Sequence, residues 1–418
     1  MFHTPGDAHG EDSRLNPAIT VIETAAAYHA RGNEPAAIDA VTSLTAAGPA
    51  AEPRVDRAIA EALSTAVSGL WKRGWLPADV EQMVRRNRSD LLARLAVDAI
   101  AEHSAGFSEA AFHPRWRRQL DTLGAERWWD PSRPHVAQWS ARHGQSRRET
   151  LWAVIELIAL FMTMGALPII IPPPGHHRQA PRRGSEATVD SKIMGKVRAL
   201  LAKAESTPYA QEAEALSAKA QELMARHSIE RVLADASPLR PQTVASASRI
   251  WLDAPYIGAK SLLVAEVAAA NRCRTVSYEK LGFVTVLGDE VDLDTVEILS
   301  TSLMVQATRA MLAAGATMTK SRRSRIRSFR HSFLIAYASR IGERLREVSE
   351  HSKASAGREI EPVLAQRRRA VDELFETLFG RRVVSRSFSV GNAAGYGAGR
   401  TAANQAVLNG SRRALPPR

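Results

Sequence analysis

Apolar residues recur at three- and four-residue steps through most of the first 171 residues of the chain. This spacing predicts a series of amphipathic helices, because residues three and four apart share one face of an α-helix. Asn16 and Pro17 suit the N-cap and first position of the first helix, and no alternating strand pattern appears before Leu167. We therefore predict a disordered tail at residues 1–15 and an all-helical bundle at residues 16–171.

The predicted bundle ends in a long apolar run from Leu151 to Ile171. The run is long enough to span a bilayer, but Glu156 lies inside it and Pro168 interrupts its last third. This pattern favours a buried helix followed by a short extended apolar segment. We therefore expect no association with a membrane.

Residues 172–190 have the composition of a linker, with Pro, Gly and charged residues and no hydrophobic periodicity. Residues 191–232 then carry two apolar stripes at helical spacing, separated by Thr207-Pro208, which can end one helix and begin the next. These stripes predict a helical hairpin. They consist of Ile193, Val197, Leu200, Leu201 and Ala204, and of Ala213, Leu216, Ala220, Leu223, Met224 and His227.

A motif of closely spaced residues runs through this hairpin. It comprises Lys196-Val197, Leu200-Leu201-Ala202-Lys203-Ala204-Glu205-Ser206-Thr207, Glu212-Ala213 and Lys219-Ala220-Gln221-Glu222-Leu223-Met224. With this motif the hairpin resembles the bacterial and phage family known as domain of unknown function 2786. No activity is established for that family, so the resemblance implies an architecture and no catalytic residues.

The residues after the hairpin resemble the companion domain that follows it in such proteins, and we place this domain at residues 250–410. The resemblance rests on Trp251, Asn271-Arg272-Cys273, Val286-Leu287-Gly288, Arg327, Phe333, Arg340-Ile341-Gly342 and the glycine-rich run Gly395-Tyr396-Gly397-Ala398-Gly399-Arg400. The fold implied for the whole chain is mainly α, with an α+β C-terminal half. An N-terminal helical bundle is followed by the helical hairpin and then by a small β-hairpin packed with long helices.

The predicted β-hairpin lies on either side of Gly282, where apolar and polar residues alternate. Asp289 follows it and suits the N-cap of the next helix, with Asp292 and Asp294 close to the positive end of the helix dipole. These three acids therefore predict a helix start, and we expect no metal site here.

Charge is distributed unevenly along the chain, whose formal net charge is +12. Eight Lys or Arg and no acid lie between Ile298 and Gly342, and seven Arg and no acid lie between Thr377 and Arg418. These two stretches carry +15, which leaves −3 for the rest of the chain. Cys273 is the single cysteine, which favours a reducing compartment, so we expect a cytoplasmic location.

Six cations crowd the start of a long amphipathic helix that is predicted from Ser324 towards Val348. Cations are disfavoured at the positive end of a helix dipole, so this cluster suits an anion better than it suits the helix. We predict that the cluster contacts nucleic acid, and a solvated helix face remains the alternative. Phe329 lies on the apolar stripe and is expected in the core. The cluster comprises Lys320, Arg322, Arg323, Arg325, Arg327 and Arg330.

The chain contains none of the common short catalytic motifs, and the glycine-rich run near the C-terminus lacks the spacing of a dinucleotide fingerprint. Those glycines are better explained by close helix packing. We therefore expect no catalytic residue, no cofactor and no metal, and favour a binding protein whose partner is DNA or RNA. The alternatives are an adaptor whose basic face meets an acidic protein, and a phosphate-directed hydrolase.

Overall fold

The computed structural model describes residues 17–46, 48–176, 192–193, 195–203, 219, 223–224, 245–316, 323–356, 361–380, 383–384 and 390–406. The fold is mainly α, and a small antiparallel sheet lies in the C-terminal half, as predicted. The chain divides into two compact units, Met1–Ala180 and Pro181–Arg418. The division falls within the segment that has the composition of a linker.

The regular elements of the first unit are all helices within its described residues. Single 3-10 turns at Pro49–Ala51 and Glu109–Ala111 interrupt the series. Its helices are α1 (Pro17–Ala30), α2 (Glu34–Ala46), α3 (Glu52–Lys72), α4 (Pro77–Asn87), α5 (Asp90–Ser104), α6 (Pro114–Leu123), α7 (His135–His143) and α8 (Arg147–Thr163).

Helix α8 is the buried helix predicted within the long apolar run. Ser146 and Glu149 form a capping box at its start, and most of its residues from Leu151 to Phe161 are buried. The chain then leaves the helix as an extended segment, and Leu167 donates a backbone hydrogen bond of 2.8 Å to the carbonyl of Arg73. The predicted helix and extended segment are confirmed, and none of the helices in the described ranges is long and apolar enough to cross a membrane.

The second unit contains a three-stranded antiparallel sheet formed by β1 (Ser246–Trp251), β2 (Arg274–Tyr278) and β3 (Phe283–Gly288), with β3 in the centre. Strands β2 and β3 are the predicted hairpin, with Gly282 at a positive φ of 84° in the turn between them. Strand β1 was not predicted, because its apolar residues Ala247, Ile250 and Trp251 do not alternate.

The helices that follow β1 pack against one another and against the sheet. They are α9 (Ile257–Ala270), α10 (Glu290–Ala316), α11 (Arg323–Ala356), α12 (Glu361–Leu378) and α13 (Ala393–Gln405). Helix α11 is the predicted long helix, but it is not simply amphipathic, since residues 332–338 are buried on every side. Its Phe329, Phe333 and Tyr337 lie in the same core as residues of α9, α10 and the sheet.

The helical hairpin is described only in part. Residues 195–203 are helical, and Val197 and Leu201 are buried with Met224, as the two predicted stripes require. Ile298 of α10 packs against this small cluster. Ile193, Leu200 and Leu223 are half-buried, and the other stripe positions, including Ala204 and His227, lie outside the described residues.

Candidate functional site

The six cations of the predicted cluster lie at or just before the start of α11. Lys320 and Arg322 fall outside the described residues, and Arg323 and Arg325 are described as helical backbone only. The side chains of Arg327 and Arg330 are described, and they lie one turn apart on the same side of the helix. Arg327 is exposed and Arg330 is half-buried.

Arg327 and Arg330 line an open cleft of about 650 Å³. The same helix contributes Ile326 to its lining, and Pro255 and Tyr256 contribute from the loop between β1 and α9. The cleft therefore combines two guanidinium groups with an aliphatic, a proline and an aromatic side chain. A volume of this size lies within the range of about 300–1,000 Å³ that is usual for small-molecule sites.

Tyr256 holds a strained backbone conformation at the edge of the cleft. Its φ of 71° lies in the left-handed region, which costs a bulky side chain on the order of 1–3 kcal/mol. The residue immediately precedes α9, and its carbonyl accepts a 3.0 Å hydrogen bond from the Lys260 N–H. Its half-buried ring packs against the core and also lines the cleft. The turn thus places Tyr256 in the same cleft as the two arginines.

The loop that carries Tyr256 is fastened at both ends. Leu252 donates a 2.8 Å backbone hydrogen bond to the carbonyl of Gly282, and the Lys260 ammonium donates to the carbonyl of Asp253. At the first turn of α9, the Glu279 carboxylate lies against Gly258. The wall of the cleft formed by this loop is therefore built into the unit by contacts with the sheet and with α9.

The guanidinium groups in the cleft lack acidic partners. Neither Arg327 nor Arg330 forms a hydrogen bond or ion pair within the part of the chain that the structure describes, and the Nε–H of Arg330 is buried without an acceptor. A buried donor without an acceptor costs about 1–3 kcal/mol, and more when the group is charged. Two arginines without acidic partners among the described residues, in one open cleft, are suited to bind an anion.

The position of these arginines is fixed by packing of α13 against α11. A Cβ added at Gly395 or Gly399 would overlap the backbone carbonyl of Phe329 or Phe333, so both glycines are needed for the close approach of the helices. Asn392 donates a 3.1 Å backbone hydrogen bond to Ser332 Oγ, and its side chain caps α13. The predicted packing role of the glycine-rich run is confirmed.

The predicted cap at the start of α10 is confirmed, and Asp292 has a partner that was not predicted. The carboxylate of Asp289 accepts a 3.1 Å hydrogen bond from the N–H of Val291 in the first turn of the helix. Asp292 accepts two hydrogen bonds from the guanidinium group of Arg272, at 2.6 Å and 3.3 Å. No group of three or more metal-binding side chains occurs within the described ranges.

A second polar cluster, in the first unit, was not predicted. Asp98 of α5 is buried and accepts hydrogen bonds from His135 Nε2 of α7 at 2.9 Å and from Trp128 Nε1 at 3.0 Å. Arg142 lies over the ring of Trp128, 4.1 Å from its centroid. Both carboxylate oxygens are satisfied, so the cluster ties α5 to α7 and offers no free group for chemistry.

Sequence reasoning located the cationic wall of the cleft but not the opposite wall. Nothing in the local sequence of Pro255 and Tyr256 indicates a left-handed tyrosine, because glycine and asparagine are the residues that normally adopt this conformation. The proximity of this loop to α11 follows from the tertiary packing of α9 on α11, which no local pattern reports.

Comparison with known proteins yields a match in one segment only. No curated protein and no solved structure matches the chain. The companion-domain resemblance predicted for residues 250–410 is outside the matched segment. Residues 192–231 match the family described as protein of unknown function (DUF2786), which confirms the resemblance predicted for the helical hairpin.

Proposed function

We propose that this protein binds nucleic acid in the cytoplasm, without a catalytic step, through the cleft at the start of α11. The observation that carries the proposal is the pair Arg327 and Arg330, which line an open cleft and have no acceptor among the described residues. Phosphate oxygens are suitable acceptors, because a guanidinium group donates several hydrogen bonds in a planar array.

The charge around the cleft supports the same proposal. No Asp or Glu occurs between Ile298 and Gly342, a stretch that contains most of α10, the start of α11 and the cations that precede it. The cations in this acid-free stretch of sequence attract polyanions over a distance of about 8–10 Å at ordinary ionic strength. Four further cations directly precede Arg327 in the sequence, namely Lys320, Arg322, Arg323 and Arg325.

The experiment is a titration of short labelled single-stranded and double-stranded DNA and RNA, followed by fluorescence anisotropy across a salt series. Each phosphate contact contributes about 0.7 to the slope of log affinity against log salt for single strands and about 0.9 for duplexes. The variant Arg327→Ala/Arg330→Ala should therefore reduce the slope by about 1.4 to 1.8.

The matched control is Arg368→Ala/Arg369→Ala, which removes the same number of charges from exposed positions on α12. This control should retain the wild-type slope if the cleft is the binding site. Equal losses in both variants would show attraction by net charge alone. Absence of binding at low salt would exclude the proposal and leave an acidic protein as the partner to seek.

A further inference from the structure

We infer that the cleft holds one unpaired nucleotide, so that the protein prefers single-stranded nucleic acid, or an unpaired end, to a continuous duplex. This inference rests on the proposed function and specifies its substrate class. It is drawn from the composition of the cleft, whose two kinds of wall match the two chemical parts of a nucleotide.

One wall of the cleft is cationic and suits a phosphate. Arg327 and Arg330 lie one turn apart on α11, and both side chains line the same cavity. The Nε–H of Arg330 has no acceptor within the described residues although it is buried. A phosphate at this wall would pair with the guanidinium groups of both arginines.

The other walls are apolar and suit the flat face of a base. Pro255 and Tyr256 line the cavity from the loop before α9, and Ile326 lines it from α11. Bases stack on aromatic side chains with little dependence on sequence, since every base has a π-face. Tyr256 also packs against the core of the unit, so this wall is present before a ligand arrives.

A base in a duplex cannot reach these walls. Its faces are covered by neighbouring bases, and only its edges are open in the grooves. A purely electrostatic site needs no aromatic wall, because phosphates are contacted without stacking. The combination of Tyr256 with two arginines in a cavity of about 650 Å³ therefore favours an unpaired nucleotide.

The test compares Tyr256→Leu with Tyr256→Phe in the full-length protein, using one DNA strand alone and the same strand annealed to its complement. The leucine variant removes the ring and keeps the bulk, whereas the phenylalanine variant keeps the ring. We expect Tyr256→Leu to weaken single-strand binding by about 5- to 100-fold, the range of a lost stacking contact. The phenylalanine variant should bind as the wild type does.

The salt slope separates this inference from the proposed function. Because neither Tyr256 variant removes a charge, both should retain the wild-type slope, and duplex affinity should be unchanged. Adenosine monophosphate should also displace the labelled strand at a lower concentration than inorganic phosphate does.

Three results would overturn the inference in different ways. Equal affinity for the single strand and the duplex, with no effect of Tyr256→Leu, would exclude binding of an unpaired nucleotide. The proposed function would still stand in that case if the salt slope depended on the two arginines. Absence of salt-dependent binding to any nucleic acid would remove both. A loss of duplex and single-strand binding together in Tyr256→Leu would show a distorted cleft and would also contradict the inference.

Discussion

The start and the middle of α11 use arginine in opposite ways. At the start of the helix, Arg327 and Arg330 line an open cleft and have no acceptor within the described residues. Further along, Arg340 donates to Glu343 at 2.8 Å and to Asn404 at 2.6 Å, and Arg346 donates to Glu266 at 3.1 Å. One helix therefore carries arginines that stabilise the fold and arginines that do not.

The difference follows from how far along the sequence the nearest Asp or Glu lies from each arginine. Glu343 and Glu347 lie three and seven residues after Arg340, within one or two helical turns, whereas no acid lies within a turn of Arg330. Arg344 uses acceptors of another kind, the backbone carbonyls of Ala403 and Ala406 at the end of α13. An arginine with no acid and no free backbone carbonyl nearby keeps its hydrogen-bond donors available for a ligand.

The largest expected effect comes from disrupting the packing of α13 against α11. Gly399→Ala places a methyl group against the carbonyl of Phe333 and should lower the free energy of unfolding by about 1–3 kcal/mol. Gly397→Ala is the matched control, because a Cβ there meets no atom within 4 Å. The control should be neutral or stabilising by about 0.5–1 kcal/mol, since alanine favours helix interiors.

Denaturant unfolding measures both variants. Equal destabilisation of the two variants would show that general helix content, and not the contact between α11 and α13, determines stability here. A Gly399→Ala variant as stable as the wild type would contradict the close approach of the two helices.

A smaller effect separates the two classes of arginine. Arg330→Leu removes a buried donor that has no acceptor and should raise the free energy of unfolding by about 1 kcal/mol. Arg327→Leu, at an exposed position on the same helix, should change it by less than about 0.5 kcal/mol. A loss of stability in Arg330→Leu would show that Arg330 supports the fold, as Arg340 does.

The smallest effect concerns the arginines paired with Glu343 and the pH dependence of stability. Hydrogen bonds from Arg340 and Arg400 hold the pKa of Glu343 below its ordinary value of 4.5. A lowered pKa in the folded state stabilises the protein above the unfolded pKa. This stabilisation is lost as the pH falls from about 4.5 through the folded pKa. Glu343→Gln should remove that part of the acid dependence, by less than about 1 kcal/mol because the side chain is partly exposed.

Unfolding curves from neutral to acidic pH provide the measurement. Glu376→Gln, at an exposed position on α12, serves as the control and should retain the wild-type profile. Identical acid profiles for wild type and Glu343→Gln would show that the pairs around Glu343 add nothing to stability.

Several elements were predictable because their signals are local. The β-hairpin around Gly282 follows from alternation, the cap at Asp289 from its position before a helix, and the glycine packing from spacing within α13. The sequence did not predict that residues 332–338 are buried on every side. The predicted apolar stripe of α11 leaves out the small and apolar residues that lie between its members.

The candidate site was predictable only on one side. A run of cations without acids is visible in the sequence, and it identified Arg327 and Arg330. The loop with Pro255 and Tyr256 reaches the cleft through the packing of α9 on α11, a contact between residues about 70 positions apart in the chain. Hydrophobic periodicity reports which face of an element is buried but not which other element covers it.

The most direct test measures stability and nucleic-acid affinity together for two double variants of α11. The account predicts that Arg327→Ala/Arg330→Ala loses about 1.4 to 1.8 from the salt slope and none of the free energy of unfolding. Arg340→Ala/Arg346→Ala should lose about 1–2 kcal/mol of unfolding free energy and keep its slope. The proposal would be contradicted if both double variants lost the same amount of affinity. It would also be contradicted if Arg327→Ala/Arg330→Ala lost stability but kept its affinity.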